Sequence, residues 1–352
     1  MQQEPLTVME NLLQQGISRR GFIKICALAA SSLSLPAAEA RRIARALATS
    51  PRPRVIWLHF QECTACTESL TRAFDPELEN LLLDMISLEY HETLMVAAGH
   101  EAEEMRKKAT AECGYILVVE GSLSRRPGWC TIAGEDSNHD LKCLARKAAL
   151  IIAVGSCAAY GGLPKAAPNP SDAVSVGELM AAGEIAARPL VNLPGCPPVP
   201  EVITGTLVHY ITYGSAPELD ELSRPFAYYA HTVHQRCPRK GSYNAGKFAE
   251  SFDDEGARRG WCLLHLGCKG PVTRNACSAL GWNGGTSMPM HSGHGCLGCS
   301  EPDFWDRWEP AGGVYAILDV NNGKQSNRSP RQATGRDEGR RGAANPSIPA
   351  GT

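Results

Sequence analysis

The chain has 352 residues, enough for two domains, with 43% hydrophobic and 20% charged residues and a formal net charge of −2. The charge is uneven: residues 1–48 hold six Lys/Arg against three Asp/Glu and residues 324–352 six against two, which leaves the body at −9. An acidic body argues against nucleic acid as a partner, since phosphate binding needs clustered Lys and Arg, and fourteen cysteines are too many for chance and too few for a small disulfide scaffold.

In chain order, a leader comes first. Residues 18–24 read SRRGFIK and run into a moderately apolar stretch, 25–35, followed by small-x-small sites at Ala38-Glu39-Ala40 and Ala46-Leu47-Ala48. Arg19 and Arg20 ahead of a short apolar run form a twin-arginine export signal, expected to span 1–48 with cleavage after Ala48. An ordinary N-terminal helix with two surface arginines is the plainer alternative, and the run is far below the roughly 20 residues that cross a bilayer. The twin-arginine translocase carries folded protein, so a cofactor can be inserted before export. Cys26 lies in the leader, and the odd number of cysteines beyond it fits a fully disulfide-bonded protein poorly.

Residues 49–224 alternate short apolar runs (55–60, 86–90, 115–120, 150–154, 190–193) with amphipathic stretches (101–112, 141–149, 177–187, 200–213). That alternation predicts a parallel sheet covered by helices on both faces, with ligands at the carboxyl ends of the strands. Cysteines fall there: Cys63 and Cys66 after the first strand, Cys157 after the fourth, Cys196 after the fifth. Four thiols from three adjacent strand ends are the number a cubane cluster takes. A redox C-x-x-C with two structural cysteines is the alternative, and it leaves Cys157 and Cys196 unexplained. Cys113, Cys130 and Cys143 have no comparable setting and read as small buried hydrophobes.

Residues 225–320 are rich in Gly, Pro and polar residues, with no helix-length apolar period, yet hold His234, Cys237, Cys262, Cys268, Cys277, Cys296 and Cys299. A segment this poor in aliphatic side chains does not offset its ordering entropy by burial, whereas coordinated metal supplies folding free energy. Thiolates with one imidazole suit iron–sulfur clusters or zinc. His234-x-x-Cys237 is compact enough for both side chains to reach one site, while His231 is the nearest competitor for the role. Trp282, Phe304, Trp305 and Trp308 flank the last thiols, as walls or as plain packing. Residues 321–352 are polar and Gly/Pro-rich and read as a disordered tail without an anchor span.

Six motifs in order, ECTACTES, GSCAAYGG, PGCPP, TVHQRCPRK, LGCKGPVTRNAC and GHGCLGCSEPDFWD, make the chain resemble the small, electron-transferring subunit of nickel–iron hydrogenases. The resemblance implies an α/β fold: a flavodoxin-like doubly wound parallel sheet, then an irregular iron–sulfur domain. It implies two 4Fe–4S clusters and one 3Fe–4S cluster. Cys63, Cys66, Cys157 and Cys196 match the proximal 4Fe–4S ligands; His234, Cys237, Cys262 and Cys268 the distal 4Fe–4S ligands; Cys277, Cys296 and Cys299 the medial 3Fe–4S ligands. Pro289 is expected where a fourth medial ligand would otherwise be.

The resemblance further implies a heterodimer. In this family the nickel–iron site is held by paired C-x-x-C motifs of a separate large subunit, and this chain has no surplus pair. Electrons from dihydrogen would enter at the proximal cluster and leave at the distal one, towards a cytochrome or a membrane-bound electron-transfer subunit. The expected location is the periplasm, at most peripheral to the cytoplasmic membrane. Relatives built to survive oxygen carry extra cysteines beside the proximal ligands; Ala65 and Gly162 stand there in this chain, so ordinary oxygen sensitivity is expected. The readings set against this one are a stand-alone multi-cluster electron carrier, a quinone-reducing subunit with the same α/β domain, and an exported zinc or disulfide protein.

Overall fold

Five apolar runs form one parallel sheet: β1 (Arg54–His59), β2 (Ser87–His91), β3 (Ile116–Glu120), β4 (Leu150–Val154) and β5 (Leu190–Leu193), in the order β2-β1-β3-β4-β5. The computed structural model describes residues 26–27, 39–49, 52–74, 76–308, 313–319 and 324–325. The twin arginines and nearly all of the expected tail lie outside them. The strand order is the flavodoxin-like one, as expected. β3 and β4 are buried along their whole length, because a parallel sheet with helices on both faces leaves no strand face for water.

Side chains alternate between the two faces with the period of 2 that a strand imposes. Val55, Trp57, Ile116, Val118, Leu150 and Ile152 join one core; Ile56, Leu58, Leu117, Val119, Ile151 and Ala153 join the other. The helices that cover these faces are α1 (Glu39–Thr49), α2 (Ala65–Thr71), α3 (Gly99–Ala109), α4 (Ser137–Ala145), α5 (Gly155–Tyr160), α6 (Val176–Ala181) and α7 (Pro200–Tyr213). β4, β5 and α7 have the bounds read from the sequence. α4 starts four residues earlier than expected, because Asp136 caps it by accepting from the Asn138 amide. α6 starts at a Ser175/Glu178 capping box and is shorter than expected.

Three of these seven helices were not anticipated. α2 and α5 are the short ones that carry Cys66 and Cys157. The third, α1, lies within the expected leader and packs on α7: Ile43 is buried, Glu39 accepts from the Tyr213 hydroxyl at 2.8 Å, and the Arg42 guanidinium lies 4.6 Å from the Tyr213 ring centre.

Beyond residue 225 the described residues form turns, isolated bridges, helices of three to five residues and one short antiparallel pair, Leu318–Asp319 with Lys324–Gln325. The region's own apolar clusters are small: Cys262, Leu264, Trp308, Ala316 and Leu318 in one, Ala249, Leu263 and Leu266 in another. A charged knot ties this region to the sheet. Arg224, 3% exposed, donates to Asp220 at 2.7 Å, to Glu301 at 3.2 Å and to the Ser300 carbonyl at 3.4 Å. A buried cation is tolerated when carboxylates balance it, and removing one partner strands the others. Arg224→Ala is therefore expected to cost about 3–5 kcal/mol, read as a fall in the melting temperature of the assembled protein; an unchanged melting temperature would contradict it.

Candidate metal centres

The first centre sits at the carboxyl end of the sheet. After β1 the chain passes Cys63 and turns through Thr64 in the left-handed region (φ 60), and α2 begins, placing Cys66 in its first turn. After β4, Gly155 (φ 84) opens α5, which carries Cys157. After β5, Gly195 precedes Cys196, and its carbonyl accepts from the Ser156 amide at 3.1 Å while its own amide donates to Ser156 Oγ at 3.0 Å. The two glycines beside the thiols are obligatory for space as well as for backbone angle. A Cβ on Gly155 would lie 2.4 Å from Cys66 Sγ, and one on Gly162 would lie 2.5 Å from Cys157 Sγ.

The three strand ends are not all adjacent, contrary to the expectation from sequence: β3 stands between β1 and β4. Its last residue, Glu120, closes that gap. The Glu120 carboxylate accepts from the amides of Cys66 (3.1 Å) and Thr67 (3.2 Å), from Thr67 Oγ1 (2.6 Å) and from Trp57 Nε1 (3.0 Å). Sequence reasoning missed it; the available signal was an acid ending an otherwise apolar strand. His59 and Glu62 lie beside it with donor atoms within 4.8 Å of one another, the spacing an ion would need. Glu120 already has both oxygens filled by four donors, so the trio serves as a brace.

The four thiols converge. Burial pushes the Cys66 thiol well up, and Glu120, Cys157, Cys196 and Cys63 push it further. Burial likewise raises Cys157 to about 11 and Cys196 to about 12. Thiols that raise one another in this way disfavour the anionic form until a cation joins them, and a bound metal inverts that preference.

The second centre is a cavity with an empty volume of about 370 Å³ including its mouth, into which His234, Cys237, Cys262 and Cys268 all face, with Arg239 and Met290 completing the wall. Val233–Arg236 is a tight turn capped by Thr232, which fixes His234 over the opening. Its ring meets Tyr243 edge-on at 4.5 Å. Burial, then the Lys240 ammonium, lowers its titration point, which keeps the imidazole neutral, the ligating form. His231 is exposed and forms no part of the wall. Arg239 is pinned there by two carbonyls, Met290 and Trp261, each at 2.8 Å, and its amide donates to Cys237 Sγ at 3.4 Å.

The third set, Cys277, Cys296 and Cys299, lies between these two. Burial and then Cys299 raise Cys277 to about 12. The Cys296 amide donates to Cys268 Sγ of the second centre at 3.3 Å. On the other side, Ser156 Oγ, beside Cys157 of the first centre, donates to the Cys299 carbonyl. Gly295 allows the first of these approaches, since a Cβ there would lie 2.9 Å from Cys268 Cβ. Pro289 is exposed between the buried Met288 and Met290.

All cysteines among the described residues are free thiols. The donors present therefore fit three soft-metal clusters: two sets of four and one of three, none spent on disulfides, with Cys63 and Cys196 exposed at the end of the sheet and the other thiols of these sets buried or half-buried. Cys113 and Cys143 depart from the expectation of small buried hydrophobes, because both are exposed and Cys130 is half-buried. Cys143 lies on the outer side of α4, whose inner side uses Leu141, Leu144 and Ala145. Of the aromatic residues, Trp308 packs with Cys262, and Trp282 donates to the Pro198 carbonyl at 3.2 Å.

Known proteins share these features. Residues 229–311 match the family model for the C-terminal part of the NiFe/NiFeSe hydrogenase small subunit, and residues 63–210 that of the NADH ubiquinone oxidoreductase 20 Kd subunit. The chain is 46% identical over 316 residues to the uptake hydrogenase small subunit of Afipia carboxidovorans, covering 89% of this chain and 84% of that one. It is 43% identical over 319 residues to the hydrogenase-1 small chain of Escherichia coli K12, covering 89% and 83%. Among solved structures, the reduced, active Ni-Fe-Se hydrogenase of Desulfomicrobium baculatum aligns with TM-score 0.69 at 34% identity, covering 76% of this chain and 100% of the other. The actinobacterial-type NiFe-hydrogenase of Ralstonia eutropha H16 aligns with TM-score 0.69 at 28% identity, covering 77% and 84%.

The Glu120 brace makes a direct prediction. Glu120→Gln places an amide donor against the donors that the carboxylate now satisfies, at an expected cost of about 1–3 kcal/mol. Hydrogen exchange should accelerate at the Cys66 and Thr67 amides; unchanged protection there would contradict the brace.

Proposed function

The chain belongs to the family of nickel–iron hydrogenase small subunits, and from that premise we propose how its own residues serve that role. It is the small subunit of a heterodimer with a hydrogenase large subunit, and small subunits of this family carry iron–sulfur clusters. The proposal assigns Cys63, Cys66, Cys157 and Cys196 to a proximal 4Fe–4S cluster, Cys277, Cys296 and Cys299 to a medial 3Fe–4S cluster, and His234, Cys237, Cys262 and Cys268 to a distal 4Fe–4S cluster. When bound, the clusters supply one-electron relay between the large subunit, where dihydrogen is oxidised, and an external acceptor.

One observation carries the order of the assignment. The three ligand sets are hydrogen-bonded end to end, Ser156 to Cys299 across one gap and Cys296 to Cys268 across the other. The residues around them have definable tasks. Glu120 fixes the Cys66 turn and Ser156 holds the Cys157 and Cys196 turns together. Amides of Gly270, Arg239 and Gly298 donate to the thiol sulfurs of Cys268, Cys237 and Cys296, and such hydrogen bonds stabilise the reduced, more negative cluster.

Residues 49–224 and 225–320 form the two functional units of this proposal, with 1–48 as a leader read by the twin-arginine translocase. Among the described residues no helix is long and apolar enough to cross a membrane. A periplasmic site and transfer to a cytochrome or a membrane-bound electron-transfer subunit are the corresponding expectations.

Metal analysis of the purified heterodimer should give nickel and about 11 irons in this subunit's clusters, with a trinuclear paramagnetic resonance signal on oxidation. Zinc in place of iron would overturn the assignment. Pro289→Cys should convert the trinuclear signal towards a 4Fe–4S form, and an unchanged signal would count against the placement of Pro289. No extra thiol stands at Ala65 or Gly162, and a side chain at 162 would collide with Cys157 Sγ. Hydrogen oxidation should therefore be inhibited by oxygen and recover on reduction; sustained turnover in air would be the contrary result.

A further inference from the structure

Cations stand beside the distal cavity: Arg239 lines it, Lys240 acts on His234, Arg236 shares the His234 turn, and the Lys247 carbonyl accepts from the amide of Cys262. From residue 225 to residue 249 the sequence holds no Asp or Glu, but it holds Arg236, Arg239, Lys240 and Lys247. Arg236 and Lys247 are exposed, and Lys240 is half-buried with its ammonium 3.4 Å from the Gln235 carbonyl. Among the described residues none of the four is within ion-pair distance of a carboxylate, whereas Arg54, Arg72, Arg106, Arg125, Lys165 and Arg259 all are.

The nearest acids downstream bond within their own segment rather than to these cations. Glu250 is held by His265 at 2.8 Å, Asp254 accepts the amides of Glu250, Ser251 and Ala257, Asp253 accepts from Ser251 Oγ, and Glu255 pairs with Arg259. The polarity reverses at the other end of the relay. At the proximal end the Glu120 carboxylate accepts from the Cys66 amide at 3.1 Å, whereas at the distal end Arg239 lines the cavity and its amide donates to Cys237 Sγ at 3.4 Å. Beside these cations sits an apolar spot: Pro271 lines the cavity and Val272 is 44% exposed. A small apolar centre within a charged rim is the surface of a transient redox encounter.

We propose that this face docks an electron-accepting protein whose redox group is surrounded by carboxylates, steered over His234 by Arg236, Lys240 and Lys247. The proposal rests on the assignment of the distal cluster to this cavity. It runs against the −9 charge of the body as a whole, which would by itself favour a basic acceptor. Steering by such a patch raises association rates by about 10- to 1,000-fold at low salt and fades once the Debye length falls below the contact distance. An anionic lipid surface would share the charge preference. A lipid headgroup takes no electron, however, and the cations stand beside a cluster ligand, which favours the protein.

The test uses the purified holo-heterodimer under hydrogen with two soluble c-type cytochromes of similar potential, one acidic and one basic. Reduction of the acidic one should be at least about 10-fold faster at low ionic strength, and the advantage should vanish in high salt. Surface plasmon resonance without hydrogen should show tighter binding of the acidic cytochrome. The double substitution Arg236→Glu and Lys247→Glu, both on the surface, should reverse both preferences while the trinuclear signal stays unchanged. Preference for the basic cytochrome, salt-independent rates, or binding to anionic phospholipid vesicles without preference for the acidic cytochrome would overturn the proposal. Absence of the cluster signals from the unaltered enzyme would take down the ligand assignment, and this proposal with it.

Discussion

Thiols crowded together in low-dielectric surroundings govern this structure. Cys277 and Cys296 are buried and Cys66 is half-buried, and burial joined by neighbouring thiols pushes each one up. Gathering so many acidic donors in one interior is unfavourable unless a cationic core sits among them and takes the negative charge. After residue 225 the region's own clusters of hydrophobic residues are small, and one of their members is the candidate ligand Cys262. On the proposed ligand assignment, folding and metal loading are one process in that half of the chain.

The sheet contributes rigidity at one end of this arrangement. Its strands end at the same edge, and the turns that follow deliver Cys63, Cys66, Cys157 and Cys196 to a common point. Glu120 and Ser156 are the residues that keep those turns in place, one by filling the space where β3 interrupts the thiol loops, the other by bridging two loops and reaching into the third ligand set. Relay demands closeness, and closeness here is main-chain business: glycine at 295 lets one ligand loop rest on another.

Much of this was legible beforehand. Apolar runs bounded by turn residues located all five strands, and β4, β5 and α7 were read to the residue, because fully buried parallel strands and a proline-initiated helix leave sharp edges in sequence. The thiols were legible through motif spacing. What was not legible depended on three dimensions. α2 and α5 are too short for a helical period to register, and α2 begins after a left-handed threonine that no propensity marks. Strand order, and with it the intrusion of β3 and the role of Glu120, follows from topology. Cys113 and Cys143 proved exposed because cysteine type alone says nothing about which side of a helix or loop it occupies.

The central claim is that eleven donors hold three iron cages in line. Anomalous diffraction from crystals of the heterodimer, recorded on either side of the iron absorption edge, tests it most directly. The account predicts three iron maxima in this subunit: within the Cys63/Cys66/Cys157/Cys196 set, within the Cys277/Cys296/Cys299 set, and within the cavity of His234, Cys237, Cys262 and Cys268. A missing maximum at any set, or one that instead appears only across the zinc edge, would contradict it.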